Sequence, residues 1–198
     1  MSAPLPDWVI PPHEGFSADE FLQMSQLPPH TELIDGSLIF VSPQKWWHIW
    51  VINLLEAELD RQAPQSLRAC REMAVRLGER QVPELDVVVV GSGVFERESP
   101  DTYFYAADVT MAVEVVSPES ALRDKASKPR IYAEAGIPHF WRVENEDGRP
   151  VAYTYRLDSE LQQYALTGIH HGRFKLGDPF PLDIDLDQYK RRGAGRGA

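Results

Sequence analysis

Four consecutive valines, Val87-Val88-Val89-Val90, follow directly on Asp86. A run that is β-branched at every position and this short reads as a strand, not a helix. It does not alternate between apolar and polar residues, so both of its faces must be covered. Thr110 to Val116 repeats the pattern, with Glu114 set among the apolar residues. Two such strands require a central sheet with layers packed on both sides. A carboxylate inside a buried strand is costly unless it is paired or holds a cation. Glu114 is therefore the first place to look for chemistry.

The remaining elements can be arranged around that centre. Ser17 followed three positions later by Glu20 is a capping-box pattern, so a short helix should run to about Ser25. Pro28-Pro29 ends it. Asp35-Gly36 separates Thr31–Ile34 from Ser37–Val41, which is a strong hairpin signal. Residues Trp46 to Arg61 read as a helix, with Ile49, Ile52, Leu55 and Leu59 expected to face the core. Arg68 to Leu77 reads as a strand. A helix is expected from about Ser127 to Ala135. Pro129 is tolerated only in its first turn, so regular helix should not begin much before Lys128, and Gly136 should stop it. His139 to Val143 reads as a strand, Val151–Arg156 and Leu161–Leu166 as a later hairpin, and His170-His171 as loop. The order implies an α/β or α+β domain on a mixed central sheet flanked by helices. Residues 1–16 are expected to form an irregular arm, 17–189 a single domain, and 190–198 a basic flexible tail.

At 198 residues the chain can bury a sizeable core. No apolar run approaches membrane-spanning length. The first residues show no basic stretch leading into an apolar one, and Cys70 is the only cysteine, so a cytoplasmic location is expected. A single cysteine also excludes a cysteine-based zinc site. The net charge of −10 argues against a general nucleic-acid coat protein. It leaves room for an enzyme whose metal-binding carboxylates add negative charge of their own.

Asp86 and Glu114, on neighbouring strands, could converge on one hard cation. Mg²⁺ is usually held by one or two carboxylates, with waters and phosphate oxygens completing its shell. Lys128 follows Glu114 by fourteen residues, enough for the chain to turn at Ser117-Pro118 and return on a helix. Asp124, Lys128 and Tyr132 are spaced by four and would share a face of that helix. Each has a plainer reading. Asp86 could cap a turn. Glu114 and Lys128 could form a structural ion pair. Asp124 reads first as a loop or helix-start residue, and Tyr132 as a core residue with a hydrogen-bonded hydroxyl. Glu32 reads as a hairpin residue that could point inward, and His48 as a helix-start histidine. Trp46, Trp47 and Trp50 cannot all face one core, which suggests a contact with a second copy. Carbonyl chemistry at Lys128 lacks any accompanying carbonyl-binding motif.

Taken in order, these segments resemble the PD-(D/E)xK nuclease superfamily. Within it they resemble the bacterial restriction-endonuclease-like proteins called Uma-type endonucleases. The resemblance rests on Glu32-Leu33-Ile34-Asp35-Gly36, Ser42-Pro43 with His48, Asp86-Val87-Val88-Val89-Val90 and Glu114-Val115-Val116-Ser117-Pro118. It continues through Asp124, Lys128 and Tyr132 into Gly136-Ile137-Pro138-His139-Phe140-Trp141-Arg142-Val143. It implies a restriction-endonuclease-like core, hydrolysis of phosphodiester bonds in nucleic acid, expected to be DNA, and a Mg²⁺ or Mn²⁺ cofactor. It implies that Asp86 and Glu114 bind the metal and that Lys128 acts in catalysis, with His48, Glu32, Tyr132 and Asp124 in support. Two residues depart from the pattern. Val116 stands where the usual lysine follows the second carboxylate, and Leu85 stands where a proline usually precedes Asp86. The alternative is a nuclease fold retained as a binding module.

Overall fold

The computed structural model describes residues 10–41, 43–118 and 120–188. Most of the expected N-terminal arm (residues 1–9), Ser42 and the basic tail (190–198) lie outside the described residues. The elements are α1 (Ala18–Gln23), β1 (Thr31–Ile34), β2 (Ser37–Phe40), α2 (Trp46–Gln62), β3 (Leu67–Arg76) and β4 (Glu84–Gly91). They continue with β5 (Tyr103–Tyr105), β6 (Val109–Val115), a π-helical turn (Arg123–Ser127), α3 (Lys128–Glu134), β7 (His139–Glu146), β8 (Arg149–Asp158), β9 (Gln163–His171), β10 (Arg173–Leu176) and β11 (Leu182–Asp185).

Seven strands form one mixed sheet in the order β5-β3-β4-β6-β7-β8-β9. The two strands without alternation, β4 and β6, sit side by side at its centre and run antiparallel. β6 and β7 are parallel, and the chain between them crosses over through the π turn and α3. β1–β2 and β10–β11 are separate hairpins.

The missing alternation in β4 now has its explanation. Val87 and Val89 pack with Val51, Ile52, Leu55 and Leu59 of α2, while Val88 and Val90 pack with Ile131 and Tyr132 of α3. One helix covers each face. The first face is completed by Phe174, Leu182 and Ile184 of the β10–β11 hairpin. A smaller cluster of Phe16, Ala18, Phe21, Leu33 and Val82 holds α1 over the first hairpin. Ser17 and Glu20 form the expected capping box. No helix among the described residues is long and apolar enough to cross a membrane.

Several local expectations are corrected. Ile49 is 41% exposed, and Val51 takes its place in the buried stripe of α2. A stripe can be drawn through either residue by spacing alone, but Ile49 faces a cleft instead of the core. His170 and His171 lie in β9, not in a loop. His170 bonds Thr154 Oγ1 at 3.1 Å and stacks on Phe174, so its strand is fixed by cross-strand contacts that spacing does not show. Leu161 falls in the turn before β9. Helical structure also begins before Lys128. The Lys128 N–H donates to the Arg123 carbonyl five residues back, and this wider π turn leads straight into α3 and its Pro129.

The Asp35-Gly36 turn of the first hairpin has both residues at positive φ, 49° and 76°, as a two-residue hairpin turn requires. Gly15, at φ +78°, lies against it, and a Cβ on Gly15 would come 2.7 Å from the Gly36 carbonyl oxygen. Gly15→Ala is therefore expected to destabilise the fold by about 1–3 kcal/mol. In urea this would appear as a lower unfolding midpoint with an unchanged slope. A midpoint equal to wild type would show that this contact gives way freely.

Candidate active site

Asp86 is the third residue of β4, which begins at Glu84, ahead of the valine run. Its Oδ2 accepts the Val115 N–H at 2.6 Å and lies 3.3 Å from His48 Nε2. The β4–β6 register pairs Val87 with Val113; carried one residue further, it sets Asp86 opposite Glu114. Glu114 is 1% exposed. Its Oε1 accepts the Tyr132 hydroxyl, and its Oε2 accepts a bond from Lys128 Nζ at 3.0 Å.

Lys128, the first residue of α3, is the centre of the cluster. Its ammonium lies 2.8 Å from Glu32 Oε1, 3.2 Å from the Glu84 carbonyl oxygen and 3.8 Å from Asp124 Oδ1. The lysine thus reaches across from the helix to the strand carboxylate. Val116, where the resemblance expects lysine, is buried. Glu32, on β1, points inward and is 2% exposed; it also accepts the Glu84 N–H at 3.1 Å. Asp124, read from sequence as a loop or helix-start residue, lies within the π turn and is buried. Ser120 donates to its Oδ2, while its Oδ1 has no hydrogen-bond partner. His48 is buried in the first turn of α2, and its Nδ1 likewise lacks a partner.

These side chains share a cleft of about 570 Å³. Of the seven residues expected at the site, Glu32, His48, Asp86, Glu114, Asp124 and Lys128 line it. Tyr132 stands behind Glu114 and orients it from the core side. Sequence reasoning missed Glu84, whose carbonyl receives Lys128 and whose carboxylate lies 2.6 Å from His30 Nδ1. It also missed Ser120 and Arg123, which line the cleft. Ser117, Ser120 and Asp124, spaced by three and four, were the available signal for the serine; nothing in the periodicity pointed to Arg123.

Charge dominates the electrostatics. Glu32, Glu72, Glu84, Asp86, Glu114 and Asp124 are six carboxylates lining a cleft with two cations, Arg123 and Lys128, a formal excess of four negative charges (six minus two). Burial alone would lower the Lys128 ammonium, but Glu114, Glu32, Asp124 and Asp86 outweigh it and hold its pKa well above the ordinary value. Burial drives the Glu114 carboxyl well upward, with Lys128 opposing and Asp86, Asp124 and Glu32 reinforcing. Burial and the Glu114 and Glu32 carboxylates likewise push the Tyr132 phenol up, so it stays a donor. Burial works against protonated His48, yet its bond to Asp86 moves its pKa upward overall. The cluster thus holds one internal cation, the Lys128 ammonium, among several acids.

A mixed α/β fold with two central-strand carboxylates and a helix-borne lysine in one cleft is the layout that the nuclease resemblance implies. The chain belongs to the Uma2 family, described as "Putative restriction endonuclease", whose model matches residues 18–187. The crystal structure of a protein from Anabaena variabilis, described as "a putative nuclease belonging to DUF820", has the same fold. The TM-score is 0.69 at 17% identity, over 88% of this chain and 97% of that one. No curated protein sequence matches this chain.

Asp124 allows a pH test. Burial raises its carboxyl from 3.8 to about 6, against the opposing effects of Lys128 and Ser120. The folded state then binds more protons than the unfolded chain between these values, so this contribution to stability is lost as pH rises through about 6. Wild type should lose on the order of 2–3 kcal/mol more than Asp124→Asn between pH 4 and pH 7. Urea unfolding at stepped pH measures it; a wild-type-minus-variant difference that stays flat with pH would contradict it.

Proposed function

We propose that this chain is a divalent-metal-dependent phosphodiesterase that hydrolyses nucleic acid, with DNA as its substrate. The observation that carries the reading is the meeting of Asp86 and Glu114, from adjacent strands, with the Lys128 ammonium in one cleft. The donor chemistry fits a hard cation. All the candidate ligands are carboxylate oxygens, they carry excess negative charge, and one buried oxygen, Asp124 Oδ1, has no hydrogen-bond partner. Asp86 and Glu114 would hold Mg²⁺ or Mn²⁺. Each Glu114 oxygen accepts one hydrogen bond, which leaves lone pairs for an ion. When bound, such an ion supplies an acidified water and offsets charge on the scissile phosphate.

The protein groups would act by positioning. The Val115 N–H and His48 hold Asp86. Tyr132 and Lys128 grip the two oxygens of Glu114. Lys128 adds the positive charge that favours an anionic substrate near the acids. Water would attack phosphorus in line as the bond to the leaving sugar oxygen breaks, without a covalent intermediate. A second copy could dock at Trp46, which is 78% exposed; Trp47 packs against the core instead. A cytoplasmic setting suits the single thiol, Cys70.

One observation favours the rival reading, a nuclease-like module without hydrolytic activity. Lys128 donates hydrogen bonds to Glu114 and the Glu84 carbonyl and forms an ion pair with Glu32, so its charge is already engaged within the protein. Among the described residues, no three His, Cys, Asp or Glu side chains are arranged to hold an ion by themselves.

Incubation of the purified protein with plasmid and linear DNA across divalent metals separates the two. Wild type should cleave with Mg²⁺ or Mn²⁺, and Asp86→Asn, Glu114→Gln and Lys128→Met should each lose about a hundredfold or more. Equal residual cleavage by wild type and Asp86→Ala would sink the assignment. Calorimetric titration with Mn²⁺ should show binding that Asp86→Asn weakens; no such dependence supports the module reading.

A further inference from the structure

The acidic cleft raises a difficulty for the proposed substrate. Each phosphate of a nucleic acid backbone is an anion, and the cleft already carries excess negative charge. Lys128 cannot relieve this alone, because it is already hydrogen-bonded to Glu114 and the Glu84 carbonyl and ion-paired with Glu32. The cleft contains one other lysine or arginine, Arg123. Among the described residues Arg123 makes no ion pair, and its Nε is buried without a hydrogen-bond partner. Arg123 thus lines an acidic cleft without an ion pair of its own, which leaves its charge for an anion that enters.

The π turn explains how Arg123 comes to face the cleft. In a regular α-helix, residues five apart are rotated by about 140°. Arg123 would then point away from the side that carries Lys128. Here the Lys128 N–H bonds the Arg123 carbonyl, which closes the turn at five residues instead of four. That closure stacks Arg123 beneath Lys128 and keeps Asp124 on the same side. The same turn therefore presents a carboxylate, a lysine and an unpaired arginine to one cavity. The guanidinium's planar fork suits two phosphate oxygens at once.

We propose that Arg123 is a substrate-binding residue that clamps a backbone phosphate of the nucleic acid next to the scissile one. This rests on the phosphodiesterase reading and adds the group that makes the acidic cleft receptive to a polyanion. The clamp contributes to binding in the ground state and the transition state alike, so its loss should appear in KM and not in kcat.

The test is steady-state cleavage of a labelled duplex by the full chain, in whichever divalent metal supports wild-type activity, between about 50 and 200 mM salt. Arg123→Ala should raise KM about tenfold with kcat little changed. The dependence of log KM on log salt should fall by about one charge. Arg123→Lys should restore the salt dependence and part of the KM. Thermal unfolding of both variants should match wild type. Unchanged KM and salt slope in Arg123→Ala would overturn the clamp while leaving the phosphodiesterase reading intact. A lower kcat at unchanged KM would overturn it too, pointing to a distorted turn. No wild-type cleavage in any divalent metal would overturn the parent reading and the clamp with it.

Discussion

The site depends on a single buried ammonium. Lys128 Nζ lies against Glu32 from the first hairpin, Glu114 from the central sheet and Asp124 from the π turn. It also binds the backbone of β4. Four separate pieces of chain therefore meet at one positive charge. Without it, three buried acids would face one another in a region where unpaired charge costs several kcal/mol. The first hairpin, the sheet and the crossover are brought into one arrangement by the same contact that gives the cleft its chemistry. The chain's membership of the Uma2 family rests on the family match over residues 18–187.

Much of this was legible from sequence, for identifiable reasons. Val87 to Val90 could only be a strand covered on both faces, and it lies at the sheet centre between α2 and α3. Asp35-Gly36 needed two positive φ angles and has them. Glu114 was conspicuous because a buried acid requires a partner, and it has two. Glu32 and Asp124 were harder. Both sit at positions where a polar residue is ordinarily solvated, and only the tertiary arrangement turns them inward. Arg123 was invisible because helix periodicity assumes 3.6 residues per turn, and the π turn departs from that. The same limit hid the early start of helical structure before Pro129. Ile49 misled for a different reason: an apolar residue at helical spacing can face a cleft as well as a core.

The placement of Lys128 on α3, and not at position 116, has a structural consequence. At position 116 a lysine would project from the end of β6, on the same strand as Glu114. From α3 it arrives opposite the carboxylate and carries Tyr132 with it one turn later. Tyr132 fills the core between α3 and the sheet while its hydroxyl bonds Glu114. Its aromatic ring stands edge-on to Phe140 of β7. Packing and charge placement on this face are thus carried by the same short helix.

That helix is only seven residues long, too short to persist in water by itself. Its place is owed to Ile131 and Tyr132 in the core and to Lys128 among the acids. The sheet bears Asp86 and Glu114, and the helix that brings Lys128 to them holds its place by packing on that same sheet. One short helix thus covers a sheet face and delivers the lysine, so its loss would bare Val88 and Val90 as well as empty the cleft, and the site and that half of the core stand or fall together.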